Sequence, residues 1–144
     1  MPLHLNGINS IKLKEYADKN FKEHLNNTKN RDLFVKFYAP WCGHCKALAP
    51  EYIQLALEGP QNVVYGEVDA TMEKDLASKY KITGYPVLKW FINGTEYEYR
   101  GGRKYEDMAS WVKRAAMQWY TPLYTKSDVD IFIGKIPPGG ARVI

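Results

Sequence analysis

Cysteine is scarce: the 144 residues hold two, Cys42 and Cys45, with two positions between them. That excludes a small fold stapled by disulfides, so a buried apolar core has to supply the stability. Histidine is also sparse, with His4, His24 and His44 its only occurrences. A structural zinc site needs four ligands, and no second cysteine pair is present to complete one. No apolar run approaches the roughly 18 residues of a membrane-spanning helix. Charge of one sign is lacking too. Twenty Lys and Arg against 16 Asp and Glu leave a net charge of +4. The basic residues, spread from Lys12 to Arg142, interleave with acids as a solvated surface does, without the basic patch and stacking aromatics of a nucleic-acid binder. There is no internal repeat or low-complexity tract. Met1–Asn9 is too short and polar for a signal peptide, and the last residues carry no KDEL-like signal. Either such signals lie outside these residues or the protein is not secreted.

What is present fits a soluble globular domain: 45% hydrophobic and 25% charged residues, a mix able to bury a core. The length predicts one domain over residues 1–120 with an appendage over 121–144. Leu33–Tyr38 is apolar on both faces, as in a central strand. It runs through Ala39-Pro40-Trp41 into Cys42, after which Cys45, Leu48, Ala49, Tyr52 and Ile53 follow helical spacing. Pro50 should kink that helix, and Gly59-Pro60 should end it. Val63–Val68 reads as the next strand, and Ala70–Tyr80 as a helix capped by Asp69 or Thr71. Pro86–Ile92 and Thr95–Tyr99 form a hairpin around Asn93-Gly94. Lys104–Trp119 is an amphipathic helix with Met108, Trp111, Val112, Ala115 and Trp119 on one stripe. Ile11–Lys14 is a candidate first strand and Asp18–Leu25 a first helix. The order β-α-β-α-β-α-β-β-α predicts an α/β fold, a mixed sheet sandwiched by helices. Thr121–Ile144, with Pro137-Pro138-Gly139-Gly140 near its end, reads as a linker with the start of a further domain, or as a strap with no part in catalysis.

The chemistry lies in Phe37–Tyr52, FYAPWCGHCKALAPEY. A Cys-x-x-Cys at a strand-to-helix junction puts Cys42 at the helix N-terminus, where unpaired N–H groups and the helix dipole favour an anion. That lowers the thiol pKa, and the thiolate is the form that attacks a disulfide. Cys45, one turn on and facing inward, can then resolve a mixed disulfide. Two inert buried thiols would not require this spacing or the Gly43-His44 insert. Asn26-Asn27-Thr28 and Asn93-Gly94-Thr95 are glycosylation triplets, a weak pointer to a secretory route.

Ala39-Pro40-Trp41-Cys42-Gly43-His44-Cys45-Lys46 matches the active-site signature of the protein disulfide isomerase family. The likeness extends over residues 11–120 through Val68-Asp69-Ala70-Thr71, Tyr80, Gly84-Tyr85-Pro86 and Asn93-Gly94, so the chain resembles a catalytic domain of that family. The resemblance implies a thioredoxin fold that makes, breaks and rearranges disulfides in protein clients in the lumen of the endoplasmic reticulum. It implies no cofactor or metal beyond the Cys42–Cys45 dithiol, and glutathione or an upstream thiol oxidase as partner. Gly43-His44 in place of the Gly-Pro of thioredoxin argues for oxidase and isomerase work, since His44 can favour the Cys42 thiolate and make the disulfide more oxidising. The family contrast is about −180 mV against about −270 mV. The resemblance further implies a cis Tyr85–Pro86 bond beside the dithiol, a backbone edge there for an extended client, and client contact by Trp41. It also implies an Arg103 that swings toward Cys45.

Lys36 is the one charge in the buried strand, and an unpaired buried ammonium would cost several kcal/mol. In the family pattern this position carries a buried acid that takes the proton of the inner cysteine, with a basic residue at the position of Glu67. The pair is therefore expected with its charges exchanged, Lys36 against Glu67, the proton passing to Glu67 or to Lys36. The alternative is a Lys36 that snorkels to the surface. At the level of function, a thioredoxin-like reductase and a non-enzymatic client-binding module are the competing readings. The dithiol's potential separates the first, and loss of one cysteine would mark the second.

Overall fold

The computed structural model describes residues 13–27, 32–92 and 95–117. Nine elements follow one another: β1 Leu13–Glu15, α1 Phe21–Asn27, β2 Asp32–Tyr38, α2 Gly43–Glu58, β3 Val63–Asp69, α3 Lys74–Lys79, β4 Val87–Ile92, β5 Thr95–Tyr99 and α4 Tyr105–Met117. This is the expected order. Residues 118–144, the Asn93-Gly94 turn, Trp119 on the helical stripe and the Thr28 of one glycosylation triplet lie outside the described residues.

The five strands form one sheet in the order β1-β3-β2-β4-β5. β3 runs parallel to both β1 and β2, while β4 is antiparallel to β2 and to β5. β2 is central, and its first six residues are buried, which explains why Leu33–Phe37 is nearly continuously apolar. Because side chains alternate along a strand, Leu33, Val35 and Phe37 face one core and Phe34 the other. The first core gathers Phe21, Val68 and Leu76 from α1, β3 and α3, with Tyr80 just after α3. The second gathers Leu48, Tyr52, Leu55, Trp90, Met108 and Trp111 from α2, β4 and α4. Lys36, two positions after Phe34, falls on the same side as α2, and this alternation brings a charge beneath the helix that carries the cysteines.

Two helices differ from expectation for one shared reason. The first helix begins at Phe21 and not at Asp18, and α3 begins at Lys74 and not at Ala70. Asp18 caps α3: its carboxylate accepts the N–H of Leu76 at 2.9 Å, while the Glu73 carboxylate accepts the N–H of Asp18 at 2.9 Å. This reciprocal cap joins segments 55 and more residues apart, so no local pattern reveals it. Asp69 closes a turn ahead of the helix, accepting the N–H and hydroxyl of Thr71 at 3.0 and 2.6 Å, as short acids do in turns. Pro50 lies inside α2, which runs on to a C-cap at Gly59 whose N–H donates to Leu55. Gly66 is required by packing, because a Cβ there would enter the ring of Tyr16.

Candidate active site

Cys42 is the N-cap residue of α2, with extended backbone (φ −80°, ψ 128°) and no side-chain cap on the helix. The N–H groups at the second and third helical positions, His44 and Cys45, are those a capping acceptor would normally take. Here they face the Cys42 sulfur. They lower its pKa together with the Cys45 thiol and the more distant charge of Arg103, the Cys45 N–H contributing most. The Cys42 Sγ also lies 3.8 Å from the carbonyl oxygen of Tyr85, and the Tyr85–Pro86 bond is cis. Cys45 is 4% exposed. Burial pushes its thiol up, aided by the neighbouring Cys42, while the N–H of Ala39 and the charge of Lys36 pull it down. One helix start therefore separates two identical side chains into an accessible, acidic thiol and a buried, reluctant one. Both are free thiols here.

The residues singled out from the sequence fall into two groups around this pair. Trp41 is 69% exposed, its ring edge-on to Tyr85 at 5.8 Å, so it is not a core residue. With Tyr85 and Pro86 it forms a rim beside Cys42. Gly43 and His44 are exposed in the first turn of α2, and the contribution of His44 to Cys42 comes through its backbone N–H. Arg103 is exposed, beside Pro86 in a small pocket that also holds Arg100 and Glu98. Its charge acts on Cys42.

The second group lies behind Cys45. Lys36 Nζ is 3.1 Å from Glu67 Oε1, the side chains 6% and 19% exposed. The two residues are register partners in β2 and β3. The ammonium also sits 5.1 Å from the ring centres of Tyr38 and Tyr52, within reach of a cation–π attraction. Lys36 therefore does not snorkel to the surface. The Tyr52 hydroxyl is 2.8 Å from the carbonyls of both Phe34 and Gly66, locking α2 onto β2 and β3 above the pair. A cavity of about 550 Å³ joins this region to the inner cysteine, with Glu15, Lys36, Tyr38, Cys45, Lys46 and Glu67 among its lining.

Glu15 was not legible from the sequence. It ends β1 opposite Glu67, and the Tyr38 hydroxyl donates to its carboxylate at 3.2 Å. Its pKa is raised to about 7, first by loss of hydration at the carboxyl group, then by the hydrogen bond and charge of Glu67; Tyr38 and Lys36 oppose the rise. No helix of the described residues is long and apolar enough to cross a membrane.

Known proteins are similar to this chain over the same region. The thioredoxin family model matches residues 12–114. Protein disulfide isomerase-like 1-4 of Arabidopsis thaliana is 38% identical over 128 residues, 88% of this chain and 20% of that protein. Protein disulfide-isomerase of Oryctolagus cuniculus is 47% identical over 102 residues, 66% of this chain and 19% of that protein. The chain thus spans about a fifth of the length of these curated relatives. Among solved structures, the first thioredoxin domain of mouse protein disulfide-isomerase A4 superposes with a TM-score of 0.63 at 32% identity, covering 77% of each chain.

Proposed function

Because this chain belongs to the thioredoxin family, as a thioredoxin-like domain of the protein disulfide isomerase family, we propose that it catalyses thiol–disulfide exchange on protein clients through Cys42 and Cys45. The carrying observation is the difference in setting between the two thiols. Cys42 stands where backbone N–H groups stabilise a thiolate, and Cys45 lies buried one turn behind it. The Cys42 thiolate attacks a client disulfide, giving a mixed disulfide and releasing one client thiolate. Cys45 then either displaces the client, leaving the client reduced and Cys42–Cys45 oxidised, or stays aside while a second client thiol attacks, which rearranges the client's bonds. From the oxidised domain the same steps run backwards and form a client disulfide.

Trp41, Tyr85 and Pro86 are the client-facing residues in this proposal. An extended client pairs with the backbone beside Pro86, its apolar side chains against the exposed indole. Lys36, Glu67 and Arg103 tune the thiols. Reoxidation falls to glutathione or an upstream thiol oxidase, and the compartment implied by the relatives is the lumen of the endoplasmic reticulum.

The assignment of roles is tested by alkylation of the reduced protein at mildly acid pH, with mass mapping of the labelled cysteine. A thiol of lowered pKa keeps its reactive thiolate as pH falls, whereas one of raised pKa loses it. Cys42 should be labelled far faster than Cys45. If Cys45 is labelled first, the roles are reversed and the proposed mechanism fails.

A further inference from the structure

The inner cysteine has to lose a proton before it can displace a client, and it is buried, with 4% of its surface exposed. The position that the family resemblance offers for this task carries a lysine here, and its ammonium is paired with Glu67 at 3.1 Å. Behind Cys45 the cavity opens instead toward β1, and Glu15 stands at that end: as a residue it is exposed, while its carboxyl group is crowded by Glu67 and Tyr38. The titratable groups that line the same cavity are Lys14 on its own strand, Lys36 and Tyr38 on β2, Glu67 on β3, and Cys45 and Lys46 on α2; of these, Glu67, Tyr38 and Lys36 act on Glu15 directly. Lys36 is committed to Glu67 at 3.1 Å, so Glu67 is held as the counter-ion of a buried ammonium. Glu15 is the carboxyl group left over, with one side on the cavity and the other on solvent.

We propose that Glu15 accepts the proton of Cys45 across the cavity and releases it to solvent, a role that Lys36 and Glu67 support by fixing each other's charge. In the resolving step the Cys45 S–H bond breaks and its proton passes to the Glu15 carboxylate. The Cys45 thiolate attacks Cys42, the Cys42–Cys45 bond forms, and the bond from Cys42 to the client sulfur breaks, the client leaving as a thiolate. The electrons come from the two cysteines and reduce the client disulfide, so no other reductant is needed. In the reverse direction Glu15 returns the proton. The cavity is large enough and polar enough at this end for water to bridge the two groups. A base is most useful with a pKa near the working pH, and Glu15 at about 7 meets that condition.

The premise is the exchange chemistry proposed above, and the test separates the two. Reduced protein is mixed with a symmetric aromatic disulfide whose thiol is coloured, and its release is followed by stopped flow. The first phase reports attack by Cys42, the second displacement by Cys45. In the native protein the second-phase rate should rise with pH through about 7, as Glu15 becomes able to accept a proton. Glu15→Gln should leave the first phase unchanged and slow the second by at least about tenfold near neutral pH, with the inflection lost, in the range expected for removal of a general base. Loss of the first phase in the native protein would refute the exchange chemistry itself. An intact first phase with an unchanged second phase in Glu15→Gln would refute Glu15 alone. Carbon-13 titration of the native glutamate carboxyls decides the matter even if the variant does not fold: Glu15 titrating in the ordinary carboxylate range overturns the proposal.

Discussion

Cys42→Ser should reduce exchange with disulfide substrates to the uncatalysed background, whereas Cys45→Ser should arrest the protein as a long-lived mixed disulfide. The asymmetry follows from the helix start. Serine at position 42 meets the same N–H groups of His44 and Cys45, but its hydroxyl does not ionise in the accessible pH range, so no nucleophile forms. At position 45 the loss is of a different kind. Cys42 keeps the N–H groups at its sulfur, although the Cys45 thiol that also lowered its pKa is gone, so attack continues with a modest shift to higher pH. Release then depends on an external thiol in place of an intramolecular one held in position, an advantage that reaches many orders of magnitude in well-oriented systems. Intact-mass analysis should show the client adduct of Cys45→Ser persisting more than about a hundredfold longer than that of the native protein. Adducts that clear equally fast in both proteins would mean that Cys45 is not the resolving thiol.

The second large effect is expected at Lys36 and Glu67. Removing one member of a buried ion pair costs about 3–5 kcal/mol, because the other charge stays buried without its partner, while replacing both by apolar groups is often close to neutral. Lys36→Met strands two carboxyl groups, Glu15 and Glu67, against each other, and should carry the larger penalty. Glu67→Met leaves Lys36 with Glu15 nearby and the rings of Tyr38 and Tyr52 beside it, so the smaller loss is expected there. The double substitution should recover much of the sum. Urea denaturation with an unchanged m-value reports these differences as stability alone. The same variants should move Cys45 in opposite directions. Lys36→Met removes a cation that favours the Cys45 thiolate and shifts its reactivity to higher pH; Glu67→Met releases that cation from its counter-ion and shifts it lower. Strictly additive stabilities with an unmoved pH profile would show that the two residues do not act as a pair.

The parts of this molecule that could be read from the sequence are those fixed by neighbours along the chain. Strand β2, the cysteine-bearing helix α2 and the β4–β5 hairpin each carry their own periodicity or turn signal, so their order predicts the sheet. Lys36 stood out because one charge in an apolar strand needs an explanation, and its partner followed from the family pattern. The misplaced starts of α1 and α3 have one origin: Asp18, read as the first residue of a helix, instead caps a helix more than 50 residues away. Glu15 was hidden for a related reason. Its significance depends on β1 lying parallel to β3 in a register that sets it opposite Glu67, and a three-residue strand carries too little pattern to fix a register. What sequence reasoning missed is thus what long-range pairing creates.

The central claim is that Cys42 and Cys45 form a redox pair poised to oxidise client thiols and rearrange client disulfides, and equilibrium titration of that pair against glutathione buffers of graded composition tests it most directly. The groups that stabilise the Cys42 thiolate stabilise the reduced form alone, since the disulfide has no charge for them to act on. A midpoint near −180 mV, the range of the disulfide isomerases, is the predicted result. A midpoint near −270 mV, the range of thioredoxin, corresponds to a dithiol about 4 kcal/mol more reducing. It would contradict the account in favour of a reductase.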